Sequence, residues 1–393
     1  MSNFFYTDEQ IKFIIDNRNI GLSFKKVTDA FNKKFEETKT VRALTRVFYK
    51  YKDFEFNTNE MISNIRTNHT TRKRNSKLLK ENKALVDFIT IQDDIQDEIK
   101  RMYAKNKNTI VKAKPKNHSS KKETVAVELL ISDIHVGIKT KTTNTEITSE
   151  RITKYCDTAI KELHNLNKSY NIEKIQILLN GDLIQGNFLH PDSSESCETT
   201  DAEQVADAIE ILFFNLIAPI SAQGIKVDIL GMCGNHDRQS KDRPIVNPGR
   251  AYLTYTIYSS LKMMTNASRL YNVSWTIPDE EYACYEMFGK YYLVEHGHAP
   301  GIKPDAASLE KQLLKRSNQL GKILYGIRIG HFHEPMISGL GRHIVNGSTV
   351  SDDHYGSSLG YVSYPCQLIN VYKDNGNTNY TCYSHSLIVN LKE

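Results

Sequence analysis

Residues 125–137, VAVELLISDIHVG, decide how the fold is read. An apolar run ends on Ser132, Asp133 and His135, and Gly137 lets the chain turn away sharply. The same texture returns four times: KIQILLNGD at 174–182, KVDILGMCGNHDR at 226–238, YYLVEHGH at 291–298 and KILYGIRIGHFH at 322–333. Strand-like runs alternating with helix-like segments predict an α/β sheet that presents polar residues at the carboxyl ends of its strands.

Those polar ends are rich in metal ligands. They hold Asp133 and His135, Asp182, Asn235, His296, and His331 with His333. Carboxylate, imidazole and amide oxygen together suit a borderline-hard divalent cation: Mn²⁺ first, with Fe²⁺, Zn²⁺ or Mg²⁺ as alternatives. Taken singly, a histidine at a strand end is ordinarily a hydrogen-bonded structural residue, and a Gly-Asp pair is ordinarily a turn. Five such clusters in succession, each following a strand-like run, point to a site.

In this order the clusters read DxH, GD, GNHD, H and GHxH, which resembles the calcineurin-like metallophosphoesterases over roughly residues 125–350. The resemblance is nearest to DNA repair nucleases of the SbcD type and to metallophosphoesterases carried by bacteriophages. It implies a four-layer αββα sandwich and a dinuclear metal site. One cation would be held by Asp133, His135, Asp182 and His333. The other would be held by Asp182, Asn235, His296 and His331, with Asp182 bridging. A hydroxide activated by two metals would attack phosphorus. His236 would be the proton donor to the leaving oxygen, oriented by Asp237. His298 would stand behind the ligands, and Arg238 and Arg243 are candidates to meet substrate phosphate.

The first third has a different character. Residues 1–122 carry 27 Lys and Arg against 15 Asp and Glu, whereas residues 123–393 carry 24 against 31. A basic arm on an acidic body suits a polyanionic partner. Three short helices are predicted within residues 1–56, capped by Thr7, Ser23 and Thr40. Their apolar stripes are Ile11, Ile14 and Ile15; Val27, Ala30 and Phe31; and Val41, Leu44, Val47 and Phe48. The third helix would turn Arg42, Arg46 and Lys50 outward, as in helix-turn-helix modules that bind DNA. Residues 57–122 read as a basic linker with one helix near 76–104, an amphipathic surface through which a homodimer could form. Residues 123–393 are the catalytic domain.

The expected function is therefore a metal-dependent phosphodiesterase, a DNA nuclease held on nucleic acid by its basic arm. A small-molecule or cyclic-nucleotide phosphodiesterase and an inactive DNA-binding scaffold are the alternatives. An ATPase partner is not expected, because the 60 residues after His333 suffice only to complete the sandwich. Six scattered cysteines form no CxxC pair, which argues against structural zinc and for reduced thiols. The N-terminus shows no secretory signal. The apolar stretch 211–220 is too short to span a bilayer, and a cytoplasmic location is expected.

Overall fold

The computed structural model describes residues 6–52, 97, 100–111, 122–187, 196–238, 247–350, 364–376 and 382–392. The chain forms two compact units, Met1–Phe88 and Ile89–Glu393.

In the smaller unit the helices are α1 (Asp8–Asn19), α2 (Phe24–Phe35) and α3 (Val41–Tyr51). Thr7, Ser23 and Thr40 cap them by accepting from the amides of Gln10, Lys26 and Ala43. At α1, Gln10 also reaches back to the Thr7 amide and completes a capping box. Ile11, Ile14, Ile15, Val27, Phe31, Leu44 and Val47 close a small core, while Arg42, Arg46 and Lys50 are exposed. Most of the helix expected near 76–104 lies outside the described residues. Its far end behaves differently from a linker: Met102 is buried in the core of the larger unit. There the Tyr103 hydroxyl meets that of Ser268, and Asn106 donates to Glu210.

The larger unit is built on two sheets. The first runs β11-β10-β1-β2-β3-β4. Its strands are β1 (Thr124–Ile131), β2 (Asn171–Asn180), β3 (Lys226–Met232), β4 (Val273–Thr276), β10 (Cys366–Lys373) and β11 (Tyr383–Asn390). The run β1 to β4 is parallel, and β10 returns antiparallel beside β1. The second sheet runs β5-β6-β7-β9-β8. It comprises β5 (Tyr282–Met287), β6 (Lys290–Glu295), β7 (Leu324–Ile329), β8 (Met336–Ser338) and β9 (His343–Val345).

Alternation along each strand divides the core. From β1 to β3, Val127, Leu129, Ile131, Ile175, Ile177 and Ile229 face helices α4 (Thr145–Ser169), α5 (Asp201–Leu212) and α6 (Leu253–Ala267). Ala126, Leu130, Leu178 and Leu230 face the other sheet, meeting Tyr285, Tyr292, Val294 and Ile344. Beyond that sheet, Leu309 and Leu313 of α7 (Ala306–Leu320) cover Leu293, Ile327 and Ile329. The order of layers is helix, sheet, sheet, helix, as expected.

Two charges sit inside this apolar sandwich. Glu128 of β1 and Arg328 of β7, both fully buried, pair across the sheets at 3.1 Å. Asn370, Tyr285 and Tyr372 also donate to the Glu128 carboxylate. Charges taken this far from water survive because each donor and acceptor is matched.

Helix α5 runs on through a π-helical turn, Phe213–Ile217, to Ser221. By length and composition Asp201–Ser221 is apolar enough to cross a membrane, but 72% of its most apolar window is buried inside the molecule. This is the stretch whose apolar run looked too short in the sequence; the amphipathic turns before residue 211 extend it.

Candidate metal centre

The carboxyl ends of β1, β2 and β3 lie side by side, and their loops are laced together. The Asp133 amide donates to the Gly181 carbonyl and the His135 amide to the Asp182 carbonyl, each at 3.1 Å. Tyr258 reaches across the ends of β2 and β3, donating to the Leu179 and Met232 carbonyls.

Two groups of donors result. Asp133, His135 and His333 form one, and Asp182, His296 and His331 the other, with the ligand atoms in each group within 4.8 Å of one another. The groups adjoin, since His296 Nε2 is 3.9 Å from Asp133 Oδ1. Asn235 lies on the third loop with its amide oxygen buried and lacking a hydrogen-bond partner. Asp133, His135, Asp182 and His296 are buried; His331 and His333 are half-buried.

Backbone conformation marks the same residues. Asp133, His135, Asp182, His331 and His333 have φ of 54°, 46°, 50°, 69° and 60°. Side chains other than glycine rarely adopt that left-handed region, and a cluster of such residues is a signature of functional loops. Close approach does the rest. A Cβ on Gly234 would stand 2.1 Å from Asp182 Oδ1, and one on Gly330 would stand 2.4 Å from Asp133 Oδ2.

His296 and Asp133 are held from behind. His296 Nδ1 donates to the Asn180 carbonyl at 2.7 Å, which turns Nε2 toward the donors. Burial opposes a charge on the ring, but Asp182 and Asp133 outweigh it and raise its pKa to about 9, so a cation would have to displace the Nε2 proton. That Nε2 is 2.9 Å from Asp182 Oδ2. The Asp133 carboxylate accepts the His331 amide at 3.0 Å, tying the first and last loops. Burial, helped by His236 and His333, pushes His135 down to about 3. Burial and His296 push His331 down to about 4. Both rings are therefore neutral ligands at ordinary pH. Burial opposes ionisation of Asp182, but His296 and His236 outweigh it and hold the carboxyl well below the usual range. An orphaned amide oxygen, lone-pair imidazole nitrogens and ionised carboxylates aimed inward fit divalent cations.

His236 stands beside the first group, its ring 4.7 Å from that of His135. Its Nδ1 donates to the Gln185 carbonyl at 2.8 Å. Here the structure departs from the sequence reading. Asp237, expected to orient His236, is fully buried and accepts from the amides of Asp182, Leu183, Ile184 and Gly234. Burial and the nearby Asp182 push its carboxyl up, and these amides pull the other way. Asp237 thus ties the second and third loops together, and the Gln185 carbonyl orients the histidine. Arg243 lies outside the described residues. Gln185, Asn180, Tyr252 and Glu281 were not singled out from the sequence, since nothing in their spacing distinguishes them.

No known family profile matches the chain, and no curated protein does. Among solved structures, an archaeal phosphodiesterase aligns at 12% identity over 67% of this chain and 99% of its own, with a TM-score of 0.31. A hypothetical protein from Pyrococcus horikoshii aligns at 13% over 67% and 88%, with a TM-score of 0.33. Wild-type Vps29 from Entamoeba histolytica complexed with zinc aligns at 13% identity, and a single mutant of it at 11%, each over 67% of this chain and 99% of its own with a TM-score of 0.26. At such scores the function has to be read from the site itself.

Proposed function

We propose that the chain is a dinuclear metal-dependent phosphodiesterase that cleaves DNA. The observation that carries this reading is the convergence of six donors into two adjoining groups, with the orphaned Asn235 oxygen on the third loop and His236 beside the first group. Asp133, His135 and His333 would hold one cation, and Asn235, His296 and His331 the other, with Asp182 between. Mn²⁺ is the ion that this mixed donor set suits best. When bound, such cations supply Lewis acidity toward phosphoryl oxygen and lower the pKa of water at the site.

The chain's own groups supply the rest. The Gln185 carbonyl occupies the Nδ1 proton of His236, so that in the charged ring Nε2 carries the proton available to a leaving alkoxide. Asp182 Oδ1 accepts the His236 amide at 2.8 Å, so one carboxylate fixes both the donor group and the acid.

For DNA as the substrate, the support is electrostatic. Arg42, Arg46 and Lys50 are exposed along one helix of a basic first third, and phosphate contacts supply most sequence-independent affinity. The deciding test is a panel of plasmid, single-stranded DNA and cyclic nucleotides with added Mn²⁺. Cleavage of cyclic nucleotides alone would replace this reading with a small-molecule phosphodiesterase. Removing residues 1–88, which spares the packing of Met102 on the larger unit, is expected to weaken DNA cleavage and to spare a small chromogenic diester. Undiminished DNA cleavage would remove the arm from the reading.

A further inference from the structure

A row of side chains leads away from the second donor group. The His298 ring is 5.5 Å from that of His296 and 6.4 Å from that of His331. The His298 side chain is 5% exposed, with Nε2 3.6 Å from Glu281 Oε1. The same Glu281 oxygen accepts the Tyr252 hydroxyl at 2.6 Å. Over the Tyr252 ring, at 5.9 Å from its centre, stands the guanidinium of Arg238. The row thus ends on the loop that carries Asn235 and His236.

Arg238 is the cation of the row. Among the described residues its Nε is buried without a hydrogen-bond partner, as are both ring nitrogens of His298, and Arg238 forms no ion pair. Arg250, by contrast, is tied to Asp279. Tyr252 is held by its hydroxyl and is 3% exposed, so its face is a fixed platform for the guanidinium. A buried donor left unmatched calls for a partner, and the planar guanidinium fork matches phosphate.

We propose that Arg238, seated on Tyr252, binds a second phosphate of the substrate, next to the one the donors would engage. Three side chains stand in the row between those donors and the guanidinium, so Arg238 meets the flank of the substrate. The assignment rests on the phosphodiesterase reading and narrows it to substrates with more than one phosphate, such as an oligonucleotide. It also makes Arg238 a specificity residue, distinct from the ligands and from His236.

The test compares the Mn²⁺-loaded full chain with its Arg238→Ala and Arg238→Lys variants. One substrate is bis(p-nitrophenyl) phosphate, with a single phosphate; the other is a dinucleotide bearing a 5′-phosphate. Arg238→Ala should raise KM for the dinucleotide about tenfold and leave both constants for the single-phosphate diester within about twofold. Arg238→Lys, keeping the charge without the fork, should fall between. Equal losses on both substrates, or none on either, would overturn the assignment. Dinucleotide binding to the metal-free chain, read by titration calorimetry, should also weaken about tenfold in Arg238→Ala, and unchanged binding overturns the assignment too. Wild-type protein inactive on both substrates would instead sink the enzymatic reading, with the binding comparison still judging Arg238.

Discussion

His135 Nε2 lies 3.1 Å from His333 Nε2, although the two rings stand on loops of different sheets. Two nitrogens bound to one ion at about 2.1 Å would sit roughly 3.0–3.4 Å apart, so the spacing is that of neighbouring ligands on one cation. His135→Ala and His333→Ala should each lower bound Mn²⁺ from two ions per chain toward one, read by elemental analysis after dialysis. Two retained ions in both variants would dissolve the first group.

His236 touches the site without belonging to either group of donors. His236→Ala should keep its metal and lose about 10²–10⁴-fold in turnover. Full activity would remove it as the acid. Gln185 acts on it through a backbone carbonyl, so Gln185→Ala should keep turnover within about threefold.

Gly234 sits where even a methyl group would strike the Asp182 carboxylate. Gly234→Ala should displace that carboxylate and abolish metal binding about as fully as Asp182→Ala does, although the change removes no charge. Circular dichroism would show whether the fold persists, and normal metal content would refute the steric account.

Glu310 offers a stability signal remote from the donors. The Arg342 guanidinium and, against some burial, His343 pull its carboxyl down to about 2 from an ordinary 4.5. A depressed carboxyl stabilises the fold above the ordinary value and loses that contribution as pH falls through about 2. The side chains are 38% and 35% exposed, so screening holds the effect below about 1 kcal/mol. The melting temperatures of wild type and Glu310→Gln should therefore converge between pH 4.5 and 2. A gap that is constant with pH would mean that the pair contributes through packing instead.

What could be read from the chain beforehand follows from how far each cause reaches along it. Thr7, Ser23 and Thr40 act three residues away, so their caps were visible as local spacing. The seven donors announced themselves because each follows a strand-like run. Asp237 also stood in a recognisable cluster, but its partners are backbone amides of the loop after β2, and no side-chain pattern records those. Glu128 and Arg328 each interrupt an apolar run, and a separation of 200 positions hides the pairing. Met102 was read as linker for the same reason: its contacts lie in helices far downstream.

The donor groups have one more consequence, for descent and engineering. Each draws on both sheets: Asp133 and His135 with His333, and Asp182 with His296 and His331. Neither half of the sandwich is a smaller version of the whole, as a duplicated module would be. A chain cut between β4 and β5 yields two pieces with incomplete coordination shells, so the centre is inherited, transplanted or lost as a single unit.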